Sequence, residues 1–397
     1  MSSALTQALT QASAARSRSS SNTIYLGMDV HKDSITIAVL PEGARVPARV
    51  ERLSADYSKL EKFLRRIGRD GALKCCYEAS GAGYVLQRAM KEWGYECDVI
   101  APSLIPKRAG VQRKHDKRDA VELARLYRAG ELTAVRIPSE AEERVRDLVR
   151  CRETFQRELH KSRHYVLKFL ARRGFVFRDA KNWTKKHFEW LQKLSGPTSA
   201  LASEDRLVFG EYLSLLEYKL ARRDELDRRI EDLALSPFLE TSVSYLGGFR
   251  GVALHGAMVL ATEIVDWRRF QKATQLYAYL GFVPREDSSG PRQRRGSITK
   301  AGNSHCRHVL VQAAWSYRHR PHCSDELKRR QEGLPPAVAA LSWKAQQRLY
   351  RRFHHLSSRK SPQVAVVAVA RELAGFLWAA MLHVPQAETS MADERAA

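Results

Sequence analysis

Four acidic residues have the type and the placement to bind a divalent cation. Asp29 lies within the apolar run 25–30, where an ionised carboxylate costs several kcal/mol unless a cation or strong donors compensate it. Glu78 ends another apolar run, and it precedes a flexible segment of Gly, Ala and Ser. Asp116 and Asp119 open a predicted helix, in which a spacing of three residues puts both carboxylates on one face. One strand, a second strand end and one helix can therefore bring the four acids together.

Each of these acids also has a purely structural interpretation. Asp29 can pair with Lys32, and Glu78 can be a solvated strand end. Asp116 can cap the helix, and Asp119 can be a first-turn acid favoured by the helix dipole. Together, however, they favour an oxygen-ligand site for Mg²⁺ or Mn²⁺. Two such ions about 4 Å apart support phosphodiester chemistry, which makes nucleic acid the predicted substrate.

Basic residues around the predicted site have the charge to hold phosphates. They are Lys107, Arg108, Arg113, Lys114, Lys117 and Arg118. Farther along the chain, a Gly/Pro-rich loop carries Ser288 and Ser289 among several arginines. Their hydroxyls can bind phosphate or attack phosphorus, and arginine suits both roles. The residue types alone favour a passive phosphate-binding loop over a nucleophile.

The elements that must position the acids form a predicted α/β domain over 23–137. Short β-type runs and helical periods follow one another in the order βββαβαβ, which is typical of a mixed sheet with helices packed on it. The preceding tail, 1–22, is rich in Ser, Ala and Gln and lacks the apolar core of a signal peptide. We therefore expect a cytoplasmic protein.

A helical hairpin or coiled coil is predicted over 138–235. Apolar residues recur there every three or four positions in two long, highly charged stretches. Ser139 and Glu142 have the spacing of a capping box at the start of the first stretch. This hairpin is expected to separate two domains.

The last part of the chain, 236–397, is predicted to be a mainly α-helical domain. It begins with a Gly-rich turn, 246–251, that is typical either of a helix-hairpin-helix element or of a close-packed helical turn. The apolar stretch 364–384 is interrupted at its middle by Arg371 and Glu372. That interruption predicts a buried helix rather than a membrane span.

The composition indicates a polyanionic partner. The 397 residues include 67 Lys plus Arg and 44 Asp plus Glu, so the formal net charge is +23. A hydrophobic content of 44% is enough for ordinary cores and excludes wholesale disorder. The 6 cysteines show no CxxC pair, which argues against a structural zinc site and a disulfide framework.

Six short motifs follow one another along the two predicted domains. They are Gly27-Met28-Asp29-Val30-His31-Lys32, Tyr77-Glu78-Ala79-Ser80-Gly81, Asp116-Lys117-Arg118-Asp119-Ala120, Leu280-Gly281-Phe282-Val283-Pro284, Ser288-Ser289-Gly290 and Gly296-Ser297-Ile298-Thr299-Lys300-Ala301-Gly302-Asn303. In these motifs the chain resembles the DEDD transposases of the insertion-sequence-110 group, including its 1111 branch, which are RNA-guided recombinases. The resemblance covers nearly the whole chain after the tail.

The resemblance implies a RuvC-like, RNase H-type first domain in which Asp29, Glu78, Asp116 and Asp119 bind the metal. It also implies that a serine of the second domain is the nucleophile and forms a covalent phosphoserine link to DNA. The family's serine precedes a glycine, so Ser289 is expected to be this residue, with Ser288 as the second choice. Nucleic-acid-binding residues are then expected at Lys32, Lys114, Lys117, Arg118, Arg292, Arg294, Arg295 and Lys300.

The resemblance further implies a structured guide RNA, or bridge RNA, which pairs with the element ends and the target DNA. It implies a homo-oligomer, dimer or tetramer, whose metal domain and serine domain come from different protomers, in a bacterial cytoplasm and at the nucleoid. Two alternatives stay open. One is a RuvC-like junction-resolving nuclease that uses water as its nucleophile, and the other is a non-catalytic nucleic-acid packaging protein.

Overall fold

The computed structural model describes residues 22–106, 116–286 and 295–385. The chain divides into two compact units, Met1–Ile137 and Pro138–Ala397. The first unit contains a sheet with helices on it, and the second is mainly helical. Each unit is described below by itself.

The first unit is built on a five-stranded mixed sheet, as the sequence predicted. Its strands are β1 (Thr23–Val30), β2 (Ser34–Pro41), β3 (Arg49–Ser54), β4 (Ala72–Glu78) and β5 (Glu96–Ile100). The spatial order is β3-β2-β1-β4-β5. The three-stranded meander β1 to β3 is antiparallel, whereas β4 and β5 join it parallel to β1.

Helices cover both faces of this sheet. They are α1 (Tyr57–Ile67), α2 (Val85–Glu92) and α3 (Asp116–Arg128). On one face, Leu26 and Met28 of β1 share a core with the apolar sides of α1 and α2. On the other face, Ala120 and Ala124 of α3 pack beside Ala38 of β2. The alternation of side chains along β1 thus assigns its odd-numbered residues to the α3 face.

The second unit begins with an antiparallel helical hairpin. Its helices are α4 (Glu140–Ala171), α5 (Lys185–Ser195) and α6 (Ser203–Ala234). Three ion pairs join α6 to α4 and the residues just after it, namely Arg152–Asp227, Glu158–Lys219 and Arg173–Asp205. As the residue number rises along α4, the number of its ion-pair partner on α6 falls. The two helices therefore run in opposite directions. The predicted capping box is confirmed by reciprocal bonds between Ser139 and Glu142, whereas the coiled coil stays a prediction.

The rest of the second unit packs seven helices and a β-hairpin around one apolar core. The helices are α7 (Glu240–Gly247), α8 (Leu254–Ile264), α9 (Ala273–Tyr279), α10 (Ser304–Ala314), α11 (Asp325–Gln331), α12 (Pro336–Ser357) and α13 (Pro362–Met381). The hairpin pairs β6 (Pro284–Glu286) with β7 (Arg295–Ile298). The Gly-rich turn between α7 and α8 is a close-packed one, because a Cβ on Gly251 would lie 2.5 Å from the carbonyl oxygen of Ala313.

Helix α13 lies in this core. Its residues Val366, Val369, Leu373 and Leu377 are buried there, which confirms the predicted buried helix. Among the described residues, α13 is the one helix that is long and apolar enough to cross a membrane by length and composition. Half of that stretch is buried inside the protein.

Candidate metal centre

Strand pairing brings Asp29 and Glu78 to the same edge of the sheet. The parallel strands β1 and β4 pair Met28 with Tyr77. The next residue is Asp29 on β1 and Glu78 on β4. Neighbouring strands lie about 4.8 Å apart. Because Met28 and Tyr77 belong to the core beneath α1 and α2, alternation turns both acids towards the α3 face.

Gly27 allows α3 to come close enough to carry acids to this edge. A Cβ at Gly27 would lie 2.3 Å from the carbonyl oxygen of Ala120 and 2.4 Å from the amide nitrogen of Ala124. Real Cβ atoms do not approach backbone so closely, so any larger residue must push the helix away. The first turn of α3 contains Asp116 and Asp119. Gly27 therefore sets the distance between these acids and Asp29.

The structure brings Asp29 and Asp116 together with His31. The Nε2 atom of His31 lies 3.1 Å from Oδ2 of Asp29 and 3.7 Å from Oδ1 of Asp116. One ligand atom from each of the three residues lies within 4.8 Å of the other two. Among the described residues, this group of mutually close atoms does not include Glu78 or Asp119. Glu78 is exposed at the neighbouring strand end.

The electrostatics of the group favour a cation. Burial raises the pKa of Asp29, the hydrogen bond and charge of His31 lower it, and the charges of Asp116 and Asp119 raise it again. The net result is a pKa above the usual value, because the side chain of Asp29 is only 15% exposed and has acidic neighbours. A divalent ion would compensate all three charges at once. The donor set of carboxylates and one imidazole therefore fits a divalent metal ion.

His31 was not singled out as a ligand by the sequence. It follows Asp29 by two residues, and in an extended chain residues two apart lie on the same side. That spacing is the signal that could have found it, although His31 already lies beyond the end of β1. The turn is held by the amide of His31, which donates to the carbonyl of Ser34.

The predicted phosphate-binding residues are only partly described. Lys32, Lys117 and Arg118 are exposed on the first unit, close in sequence to the three grouped residues. Lys300 is exposed after β7, where its φ of 56° is left-handed. Arg295 opens β7. The other predicted positions lie outside the described residues, namely Lys107, Arg108, Arg113, Lys114, Ser288, Ser289, Arg292 and Arg294.

The base of the serine loop is nevertheless well defined. Gly281 and Gly302 flank β6 and β7, and both have positive φ angles, 68° and 116°. A Cβ on Gly302 would lie 2.1 Å from the carbonyl oxygen of Tyr279. Asn303 caps α10 through its Oδ1 atom and donates from Nδ2 to Glu263, at 2.7 Å. The Gly-Asn pair of the motif therefore fastens the end of the loop to α8 and α9.

Known proteins match both units. The DEDD transposase domain of the IS110 group matches residues 26–173, and the transposase family IS116/IS110/IS902 matches residues 244–328. The chain is 37% identical to "Putative transposase y4qE" of Sinorhizobium fredii, over 89% of this chain and 87% of that protein. It is 30% identical to the transposase for insertion sequence element IS1533 of Leptospira borgpetersenii, over 85% of this chain and 97% of that protein. It is 22% identical to the transposase for element IS1111A of Coxiella burnetii, over 75% and 79%.

These matches confirm the resemblance that the motifs indicated. A DEDD domain implies a RuvC-like fold, with which the mixed sheet agrees, and it implies the use of divalent metal ions. A transposase also binds DNA and is an enzyme. The chain belongs to the IS110/IS116/IS902 family of insertion-sequence DNA transposases.

Proposed function

We propose that the protein excises and inserts a mobile element at specific DNA sites, by strand transfer that depends on a divalent metal ion, Mg²⁺ or Mn²⁺. The observation that carries the proposal is the convergence of Asp29, His31 and Asp116 at the edge of a RuvC-like sheet. Glu78 at the neighbouring strand end and Asp119 one helical turn along α3 complete the proposed set of acids.

In this proposal the four acids hold the metal, and the Nε2 atom of His31 joins them as a ligand in place of its hydrogen bond to Asp29. When bound, the ion would supply Lewis acidity for the attacking and leaving oxygens of a phosphodiester. The exposed cations Lys32, Lys117 and Arg118 would bind the DNA backbone beside the acids, since phosphate contacts position a strand without reading its sequence. The site thus holds both the reacting phosphate and its neighbours.

The proposed nucleophile is Ser289, with Ser288 as the second choice. The serine Oγ gives its proton to water as it bonds to phosphorus, and a P–O bond to deoxyribose breaks. The released deoxyribose oxygen takes up a proton. A deoxyribose hydroxyl of the other DNA then loses its proton and bonds to the phosphorus, while the P–O bond to the serine breaks. The serine Oγ takes up a proton, which restores the serine and completes strand transfer. The support for this choice is the motif itself and the β-hairpin at the base of the loop, where β6 pairs with β7.

The proposal includes a structured guide RNA and a homo-oligomer, dimer or tetramer. Site choice by base pairing requires the protein to hold nucleic acid mainly through its backbone, which suits a net charge of +23. It also includes a division into 23–137 for metal, 138–235 for the hairpin and 236–397 for the serine loop. The cell compartment is proposed to be the bacterial cytoplasm, at the nucleoid.

A recombination assay with purified protein, the candidate RNA and two DNA duplexes tests the proposal. Asp29→Asn should abolish strand transfer, whereas the matched control Asp33→Asn, an exposed acid four residues along, should retain it. Ser289→Ala should abolish the protein-linked DNA that a denaturing gel detects. If Ser289→Ala and Ser288→Ala both keep cleaving DNA without any adduct, the junction-nuclease alternative is correct instead.

A further inference from the structure

A row of basic side chains lies along the exposed side of α12. Lys344, Arg348, Arg351, Arg352 and His355 recur every three or four residues, so they share one side of the helix. All five are exposed, while the opposite side of α12 packs in the core. With a rise of 1.5 Å per residue, the row is about 16 Å long.

The row forms one wall of a groove between α12 and α13. The groove has a volume of about 480 Å³, and its lining includes all five residues of the row together with Gln347 and Glu372. Glu372 accepts a hydrogen bond from Nε of Arg348 at 2.8 Å and lies 3.1 Å from Nε of Arg352. It fixes two guanidinium groups side by side through their Nε atoms. Within the described ranges the Nη atoms of both groups form no hydrogen bond, so they can donate to another acceptor.

The charges of the groove do not balance. Lys344, Arg348, Arg351 and Arg352 carry four positive charges against one negative charge on Glu372, and 4 − 1 leaves +3. Like charges three and four residues apart destabilise a helix, so this arrangement is unfavourable without an anion. In the described part of the chain, Lys344 and Arg351 form no ion pair. A row of about 16 Å is much longer than a single phosphate group, so it can contact successive phosphates of one strand.

An exposed aromatic side chain flanks the row. Trp343 is 44% exposed, one position before Lys344, and helix geometry puts it on the flank of the row away from the groove and from Glu372. Beyond it on the same side of α12, Tyr350 stacks edge-on against His354, with ring centroids 4.5 Å apart. Single-stranded nucleic acids are bound where cations follow the backbone and aromatic rings stack on unpaired bases. In a duplex the bases are not available for stacking on a side chain.

We propose that the exposed side of α12 binds a single strand of nucleic acid, with its phosphates along the basic row that borders the groove and a base on Trp343 across the row from the groove. The inference rests on the proposed function only in that the substrate is a nucleic acid. The ligand is the sugar-phosphate backbone with unpaired bases, which both RNA and DNA single strands present.

The test measures the salt dependence of binding by the full chain, with fluorescent single-stranded RNA, single-stranded DNA and duplex DNA of equal length. The double variant Lys344→Gln/Arg351→Gln removes two cations and leaves the pairs of Glu372 in place. For single strands, the slope of log K against log salt should become shallower by about 1.4, since each phosphate contact contributes about 0.7. The matched control is Lys62→Gln/Arg69→Gln, an exposed lysine and arginine with the same spacing of seven residues, which should leave the slope unchanged.

A second variant tests the stacking. Trp343→Leu should weaken the binding of single strands roughly tenfold and leave duplex binding unchanged. Equal slope changes for the groove variant and its control would overturn the proposal, because net charge would then explain the effect. A loss confined to the duplex would overturn the assignment of a single strand. A larger loss for RNA than for DNA, or the reverse, supports the groove and identifies the strand it prefers.

Binding is measured without strand transfer, so the two proposals fail separately. If the groove variants lose single-strand binding in a protein that does not recombine DNA, only the proposed function is wrong. If the wild-type protein recombines DNA while both groove variants bind like it, only the groove is wrong. Circular dichroism of each variant checks that these exposed substitutions leave the fold intact.

Discussion

Replacing Glu263 by glutamine removes one charge from the interior of the second unit and hardly changes the size of the side chain. The carboxylate is 2% exposed, and it accepts hydrogen bonds from Nε and Nη2 of Arg150 at 2.6 and 2.9 Å. Asn303 donates a further bond at 2.7 Å. In the variant, the amide group of the glutamine must face at least one of these donors, and the guanidinium loses its buried counter-charge.

The expected cost follows from the burial of the two partners. Removing one partner of a buried ion pair typically costs about 3–5 kcal/mol. The side chain of Arg150 is 43% exposed and can be rehydrated, so we expect the low end of that range, about 3 kcal/mol. For a domain of this size each kcal/mol shifts the Tm by about 2–4 °C. The unfolding transition of the second unit should therefore fall by about 6–12 °C.

The pH dependence has a definite sign. Burial raises the pKa of Glu263. The hydrogen bond and charge of Arg150 and the hydrogen bond from Asn303 together lower it by more than burial raises it, so the net pKa lies below its usual 4.5. A carboxyl whose pKa is depressed by folding stabilises the folded state above its unfolded pKa, and this contribution is lost as the pH falls through the folded value. The difference in Tm between wild type and Glu263→Gln should be complete at pH 7 and should narrow only below about pH 4.5.

Differential scanning calorimetry of the full chain at pH 7 and at about pH 4 measures both effects. The control is Glu225→Gln, the same substitution in an exposed pair with Arg229 on α6, which should leave the Tm unchanged. A Tm for Glu263→Gln within about 2 °C of wild type would contradict the reasoning. So would a difference that stays constant into acid, because the carboxylate would then contribute nothing through its charge.

Three further substitutions test other parts of the structure. Gly27→Ala should lower the free energy of unfolding of the first unit by about 1–3 kcal/mol or more, and it should also abolish metal-dependent activity. Gly43→Ala, with open space around its Cβ, should do neither. Phe209→Ala should cost about 3–5 kcal/mol in denaturant unfolding, because the ring is fully buried in the hairpin, whereas Tyr218→Ala on its exposed side should cost little. Tyr317→Phe should leave the Tm unchanged or raise it, since the buried hydroxyl has no hydrogen-bond partner among the described residues; a clear loss of stability would indicate a bound water there.

Local sequence patterns predicted the helices and strands better than the contacts between them. The apolar run of β1, the strand before Glu78 and the capping box at Ser139 each depend on neighbours in the sequence, and each is present. The pairing of β4 with β1 and the contact between Arg150 and Glu263 join residues far apart in the chain. Such contacts depend on which faces meet after folding, and no local period records them.

The candidate metal centre shows the same limit. The sequence predicted that four acids converge, and the structure places Asp29 and Asp116 in one group. It places His31 there as well, because the turn after β1 returns the imidazole to the acids. A prediction based on carboxylates alone misses such a residue, whose position depends on how far the strand extends before it turns.

The fold and the candidate site depend on the same few residues of β1. Gly27 and Asp29 lie two residues apart on one face, so the gap left by the glycine lies directly beside the carboxylate. That gap admits α3, and α3 brings Asp116 and Asp119 close enough to raise the pKa of Asp29. Without a cation, this close approach costs stability through the repulsion of like charges. Packing alone does not explain a glycine that brings acidic residues together at a cost to the fold, because neutral residues at these positions would be more stable. A bound divalent ion explains it, since each carboxylate would then be attracted to the ion.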